Sequence, residues 1–371
     1  MKKLLTFVTF LFLIACTSHL PGCTSTTKKG SSGSSQKPKI EGELSVMTFN
    51  VENLFDTDHD KDREDFTYLP LFKKNTPEIQ AGCLQQKGFY QRQCLELDWN
   101  DQILAKKMKN IAEVILSVDQ GLGPDILFLI EVENEKVLNR LNQEHLKAAG
   151  YQTVVLIEGP DERGIDVAVL SRLPLMGKAE LYKIPYKGKN PDDQKWMNRS
   201  RGILHVPLKT PEGTKLNALV AHFPSQRNPR YWREQSVDYA VQLLDRLKGE
   251  MFVFGGDLNI SQDEEEATGF FEKKFSSIGN VSHLVGCKHC DGSHEYRNTW
   301  SFLDALIFAN AMDEKGTSAY EFVKESVDIP KATANHIYKG RSPKRFDEKS
   351  GEGVSDHFPV YARIKLRAVK K

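Results

Sequence analysis

The sequence predicts an α/β protein built on a mixed sheet or on two stacked sheets, and three observations point there. Short apolar runs recur along the chain, and each stops at a polar residue, as in Ser45-Val46-Met47-Thr48-Phe49-Asn50 and Ile126-Leu127-Phe128-Leu129-Ile130-Glu131. Runs of this kind read as strands covered on both faces. Three longer segments carry a helical period instead. Strands alternate with helices early and follow one another later, which argues against a pure βαβ repeat.

In chain order, strands are expected at 44–49, 125–130, 152–157, 165–170, 202–207, 217–221, 251–255, 302–308 and 358–365. The clearest helix is 101–118, where Ile103, Leu104, Met108, Ile111, Ala112, Ile115 and Leu116 fall on one face between a start signal at Asp101 and a stop signal at Gly121. Further helices are expected over 134–149 and over 231–248, the latter with Val237, Ala240, Val241, Leu243 and Leu244 inward. The segment 56–100 reads as irregular and polar, an insertion of the kind that is functional or disordered. Within it, Asp58-His59-Asp60-Lys61-Asp62 has the beginning of a calcium loop but neither the glycine at the sixth position nor the glutamate at the twelfth. A solvated acidic loop is the expectation.

The chain of 371 residues is 39% hydrophobic and 27% charged, with a formal charge of +1. A polyanionic substrate would therefore meet a local patch, since no global basic field exists. Lys2 and Lys3 precede the apolar run Leu4 to Ile14, the pattern of a secretory signal that is too short to span a bilayer. The run ends at Leu13-Ile14-Ala15-Cys16, which resembles a bacterial lipobox with lipidation at Cys16. The expected organisation is a signal peptide over 1–15, a flexible Ser/Gly/Lys/Thr-rich tether over 16–42, and one catalytic domain over 43–371. A bacterial cell-envelope lipoprotein (outer membrane or periplasm), or an extracellular protein, follows. Its membrane contact would be the lipid anchor, and no obligate protein partner is expected. In an oxidising compartment, sequence proximity favours the disulfides Cys83–Cys94 and Cys287–Cys290, leaving Cys23 over.

The chemistry lies at the ends of the apolar runs. Asn50, Glu131, His222, Asp257, Asn259, Asp356 and His357 offer oxygen and nitrogen ligands for a hard cation together with two candidate proton carriers. Glu131 closes the most hydrophobic run, where a carboxylate is costly unless it meets a cation or donors. Asp257 and Asn259, two apart, share one side of an extended backbone. Asp304, inside Phe302-Leu303-Asp304-Ala305-Leu306-Ile307-Phe308, is the natural carboxylate to orient the imidazole of His357.

Taken together, the strings Thr48-Phe49-Asn50-Val51-Glu52-Asn53-Leu54-Phe55-Asp56, Glu131-Val132-Glu133-Asn134, His222, Gly256-Asp257-Leu258-Asn259, Leu303-Asp304 and Ser355-Asp356-His357 resemble the endonuclease/exonuclease/phosphatase superfamily, in its order and over nearly the whole mature chain. The histidine at 222 is most similar to bacterial deoxyribonuclease I-like secreted nucleases, the abasic-site repair branch being expected to carry a tyrosine nearby instead. The resemblance implies a four-layered α/β sandwich, two mixed sheets face to face with helices outside. It further implies Mg²⁺-dependent hydrolysis of phosphodiester bonds in DNA, with RNA as an alternative substrate and Mn²⁺ or Ca²⁺ as alternative ions. Sphingomyelin or inositol phosphates are the runner-up substrates on the same fold. Residue by residue, it makes Glu131 the main metal ligand with Asn50 beside it and Asp356 a further ligand. It makes His357 the general base oriented by Asp304, and His222 the general acid. Asp257 and Asn259 then contact the scissile phosphate. Two departures stand out: Ile130 where many members carry glutamine, and the stretched interval between Asn50 and Glu131.

Arg163, Arg199 and Arg201 flank strands at a similar end and could each clamp a phosphate or stay solvated. The run Lys183 to Lys195, with Tyr182, Tyr186 and Trp196, mixes cations and aromatics in a manner suited to nucleic acid, against the alternative of aromatics tucked inward. Cys287-Lys288-His289-Cys290 followed by His294 has zinc-like spacing without a second pair, so a disulfide pinning the loop before Asp304 is favoured.

Overall fold

In a computed structural model, residues 40–331 and 333–368 are described. Among them the strands are β1 (Glu43–Leu54), β2 (Ile126–Val132), β3 (Thr153–Leu156), β4 (Asp166–Ser171), β5 (Glu180–Tyr182), β6 (Ile203–Lys209), β7 (Lys215–His222), β8 (Met251–Asp257), β9 (Gly279–Val281), β10 (His294–Tyr296), β11 (Thr299–Ser301), β12 (Asp304–Ala309), β13 (Tyr320–Asp328), β14 (Ile337–Tyr338), β15 (Ser342–Pro343) and β16 (Val360–Leu366). The helices are α1 (Pro77–Gln85), α2 (Phe89–Glu96), α3 (Asp101–Ile115), α4 (Glu135–Glu144), α5 (Pro191–Met197), α6 (Arg230–Asp245), α7 (Gln262–Thr268) and α8 (Ser282–Val285). One six-stranded sheet has the order β13-β16-β1-β2-β4-β3 and the other β5-β6-β7-β8-β12-β9. Both are mixed: β1 and β2 run parallel, as do β7 and β8, while the other pairs are antiparallel.

Period-2 alternation explains the layering. On β1, Leu44 and Val46 face the second sheet, whereas Met47, Phe49 and Val51 face the other way, under Leu104, Met108 and Ile111 of α3. β2 divides in the same way, with Phe128 and Ile130 inward and Leu127 and Leu129 outward. The far side of the second sheet is covered by Trp232, Val237, Ala240 and Leu244 of α6. The result is helix, sheet, sheet, helix, the four-layered sandwich expected. α3 starts at the expected Asp101, capped by the residue before it: the Asn100 side chain accepts from the amides of Gln102 and Ile103.

All nine expected strands and three expected helices are present, but two regions differ. The segment 56–100 is an ordered module rather than an irregular loop, with α1 and α2 joined by a Cys83–Cys94 disulfide over a small core of Leu69 and Ile79. Lys74 is buried within it and donates to the carbonyls of Thr67, Cys94 and Leu97 at 2.7–2.8 Å. A bridge and a lysine hub replace the apolar periodicity that would have announced it. The edge strand β13 escaped notice because Tyr320 and Phe322 alternate only briefly before a bulge breaks the pairing with β16. Cys287 and Cys290 also form a disulfide. The expected signal peptide, Cys16, Cys23 and the expected tether as far as residue 39 lie outside the described residues. No helix among the described residues is long and apolar enough to cross a membrane.

Candidate active site

Topology brings the strand-end residues to one rim. Parallel pairing puts the C-terminal ends of β1 and β2 together, and likewise those of β7 and β8. β12 and β16 run against their neighbours and so start at this same edge. Register does the rest within the second sheet, where Asp257 lies opposite both His222 and Asp304. The rim is also where the backbone turns hard. Glu52, Asn53, Glu131 and Asn259 all have φ between +52° and +66°, conformations that persist only where surrounding structure enforces them. Gly256 has φ +135°, and a Cβ there would lie 1.9 Å from the carbonyl oxygen of Ala221, so only glycine fits between β7 and the Asp257 turn.

Asp257 is the hub. Its Oδ2 accepts from Asn50 Nδ2 at 3.0 Å, which joins the two sheets, and lies 3.5 Å from His222 Nε2 and 3.8 Å from His357 Nε2. Its Oδ1 accepts from the amide of Asn259 at 2.9 Å. Asn50 Nδ2 also reaches Glu131 Oε1 at 3.3 Å, and His222 Nε2 lies 3.9 Å from that oxygen. His357 is oriented by Asp304, with Nδ1 2.6 Å from Oδ2. Ser355 Oγ ties the segment before β16 to the rim by donating to Asn50 O at 2.6 Å. Asn259 Nδ2 is spent on the carbonyl of Phe223 at 3.1 Å, so here it fixes a loop. Asp356 faces Arg345, Oδ2 to Nη2 at 2.8 Å.

Charge separates the two imidazoles. Burial would lower the pKa of His357, but the carboxylates of Asp304 and Asp257 outweigh it and hold the ring protonated. His222 moves the other way: burial, with Arg201 and Arg163 adding to it, keeps it neutral. Burial pushes Asp257 up to about 7.

Two residues were missed in the sequence. Glu52 stands two positions after Asn50, the spacing that puts both on one side of a strand. Its Oε2 accepts from the amide of Asp356 at 3.1 Å, and burial with Asp356 nearby raises its pKa to about 7. Arg345 carried no signal at all. It bonds Glu52 and Asp356 and feels Glu131, making it the stand-in cation of a carboxylate cluster. His294 also joins the site, its ring centroid 4.9 Å from that of His357. The ligand atoms of His294, Asp356 and His357, and those of Asp257, Asp304 and His357, lie within 4.8 Å of one another in each group. Oxygen donors from Glu131, Glu52 and Asp356, which meet the charges of Arg345 and the buried Lys107, are of the kind that suits a hard divalent cation. The acids of the calcium-like stretch are otherwise engaged: Asp58 with Lys73 and Lys136, Asp60 with Asn134.

The arginines gather, but not as free clamps. Arg199 pairs with Glu162, and Arg201 Nη1 lies 3.5 Å from Asp161 Oδ2. Arg163 is exposed, its Nε 3.9 Å from Asp161 Oδ1. In the Lys183–Lys195 run, Tyr186 tucks inward and bonds Ser236 at 2.7 Å, whereas Trp196 faces solvent.

A buried arginine sets the loop after His222. Arg233 grips Glu264 with Nε and Nη2 at 2.7 and 2.8 Å, and Nη1 donates to the carbonyls of Pro224, Ser225 and Asn228. Replacing it in Arg233→Met strands Glu264 as a buried charge. The expected loss is about 3–5 kcal/mol of stability, read from the urea midpoint; a loss too small to shift that midpoint would mean that the pair is not structural.

Fold and rim together define a phosphoester hydrolase with an α/β sandwich frame. The sequence profile of the Endonuclease/Exonuclease/phosphatase family matches residues 90–366, and the chain belongs to that family. Its enzymes are typically dependent on divalent metals, in keeping with the acid–imidazole groups at the rim. Among solved structures, the chain is similar to a D. rerio TDP2 humanised by 14 mutations, at 14% identity, TM-score 0.53, 88% of this chain and 100% of that one. It is also similar to an endonuclease/exonuclease/phosphatase family protein from Bacteroides thetaiotaomicron, at 15% identity, TM-score 0.51, 90% and 97%. A truncated TDP2 from Caenorhabditis elegans aligns at 15% identity and TM-score 0.50 over 87% and 98%. At these identities the likeness concerns the fold. No curated protein matches the chain by sequence.

Proposed function

We propose that this protein is a Mg²⁺-dependent phosphodiesterase that cleaves DNA, and RNA secondarily, as a lipid-anchored or secreted enzyme of the bacterial cell envelope. The observation that carries the reading is the approach of two imidazoles to one carboxylate oxygen, His222 at 3.5 Å and His357 at 3.8 Å from Asp257 Oδ2, beside Glu131. Glu131, Glu52, Asp356 and Asn50 are the residues that would hold the ion. A divalent cation bound there would neutralise charge on the phosphate and make an attacking water more acidic. In its neutral form, which the carboxylates of Asp304 and Asp257 shift to higher pH, His357 is fixed in orientation by Asp304 and takes the proton of the attacking water. His222, its Nε2 3.5 Å from Asp257 Oδ2, takes the general-acid role at the leaving oxygen, and burial with Arg201 and Arg163 nearby makes its protonated ring give up a proton readily. Asn50 holds Asp257 and Glu131 in register.

The test is a substrate panel of duplex DNA, single-stranded DNA, RNA, sphingomyelin and inositol phosphates, with Mg²⁺ and then with excess chelator. Nucleic acid is expected to be cleaved with Mg²⁺ and spared with chelator. Turnover of only the lipid or the inositol phosphates, or turnover unaffected by chelator, would overturn the proposal.

A further inference from the structure

A pocket of about 290 Å³ adjoins His222, walled by Asp161, Glu162, Arg163, Trp196, Arg199 and Arg201 and floored by the loop that follows His222. Its size suits one planar ring system rather than a polymer segment. Three guanidiniums meet three carboxylates there, Glu64 being the third, so the pocket is close to neutral. A naked phosphate entering it would face Asp161 and Glu162 as well as the arginines. A neutral ring with acceptors on its edge would not. Arg201 lines the pocket with a side chain 12% exposed whose Nη1 lies 3.5 Å from Asp161 Oδ2.

Aromatic surface accompanies the pocket. The Arg199 guanidinium lies 4.7 Å from the Trp196 ring, which is 57% exposed. The Arg227 guanidinium lies 5.3 Å from the Tyr90 ring, 47% exposed, and Phe89 meets Tyr90 edge-on. Arg227 directly precedes Asn228, a pocket residue, so the second pair borders the first. The loop between them is rigid, held by Arg233 from below and by Gln226, whose amide donates to the carbonyl of Asn259. Phe89 and Tyr90 come from the disulfide-braced 56–100 module, which brings the insertion against Arg227 beside the pocket.

We propose that this pocket receives an unpaired nucleobase on the His222 side of the scissile phosphate, that Tyr90 stacks a neighbouring base, and that single-stranded nucleic acid is therefore preferred over duplex. The inference rests on the nucleic-acid reading above. A base in a duplex has its pairing edge occupied and its faces covered, and must be unstacked before it can enter a walled pocket. A single strand has no such cost, and stacking on exposed aromatics tolerates any base.

The experiment compares kcat/KM on one short oligonucleotide as a single strand and as a blunt duplex. The proteins are wild type, Trp196→Ala, Tyr90→Ala and, as a control, Met176→Ala, at an exposed site beyond the end of β4 that pairs with the start of β2. Wild type is expected to favour the single strand by about tenfold or more, and each aromatic variant to lose about tenfold on the single strand, chiefly through KM. Met176→Ala keeps the wild-type ratio. Equal rates on both forms, or a preference that survives both aromatic substitutions, overturns this inference while leaving the phosphodiesterase reading intact. A wild-type protein that cleaves no nucleic acid overturns both.

Discussion

His357→Asn is expected to lower kcat by about 10²–10⁴-fold, the usual range for a lost general base, while the protein stays folded. Asparagine is the informative choice because His357 donates to Asp304, a residue with no solvent exposure whose other oxygen has no partner. An alanine would leave that carboxylate buried and unpaired, at a cost of about 3–5 kcal/mol, and would confuse lost chemistry with lost structure. The side-chain amide of asparagine still offers a donor on the Asp304 side. Circular dichroism and turnover measured on the same preparation separate the two effects. Near-wild-type turnover by a folded variant would remove His357 from the mechanism.

Glu131→Gln is expected to act on the ion first. The substitution keeps length and one carbonyl oxygen but removes the charge that Asn50, His222 and the amide of Asn53 meet. Half-maximal activation should require about 10–100-fold more Mg²⁺, with turnover reduced even at saturation. A Mg²⁺ titration of activity, paired with calorimetric titration of the ion alone, gives both numbers. An unchanged activation midpoint would exclude Glu131 as a ligand. The same titration on Glu52→Gln asks whether the carboxylate overlooked in the sequence belongs to the ion site or only to Arg345.

Much of the site was legible because strand ends are local features. Asn50, Glu131, His222 and Asp257 each follow an apolar run, and a run of that composition makes a buried strand wherever it pairs. Asp304 was legible for the opposite reason, as a charge inside an apolar stretch that needs a partner. Glu52 was hidden although it obeys the same period-2 rule as Asp257 and Asn259. Its neighbours Asn53 and Leu54 broke the pattern, and the left-handed φ values of Glu52 and Asn53 explain that break. The arginines were found as residues but not as partners. Their pairing with Asp161 and Glu162 depends on which loops pack together, so the choice between a phosphate clamp and a solvated arginine lay outside the sequence.

The chain's own order of residues determined the α/β class, the nine main strands and the chemical kinds of group at the rim, since periodicity and strand termini are encoded within a few neighbouring positions. Folding in three dimensions decided the rest. The approach of His222 and His357 to Asp257, the disulfide-braced module whose Tyr90 meets Arg227, and the lowered pKa of His222 all arise between residues far apart in sequence. Distances, burial and local fields of that kind come into being only when the two sheets close on each other.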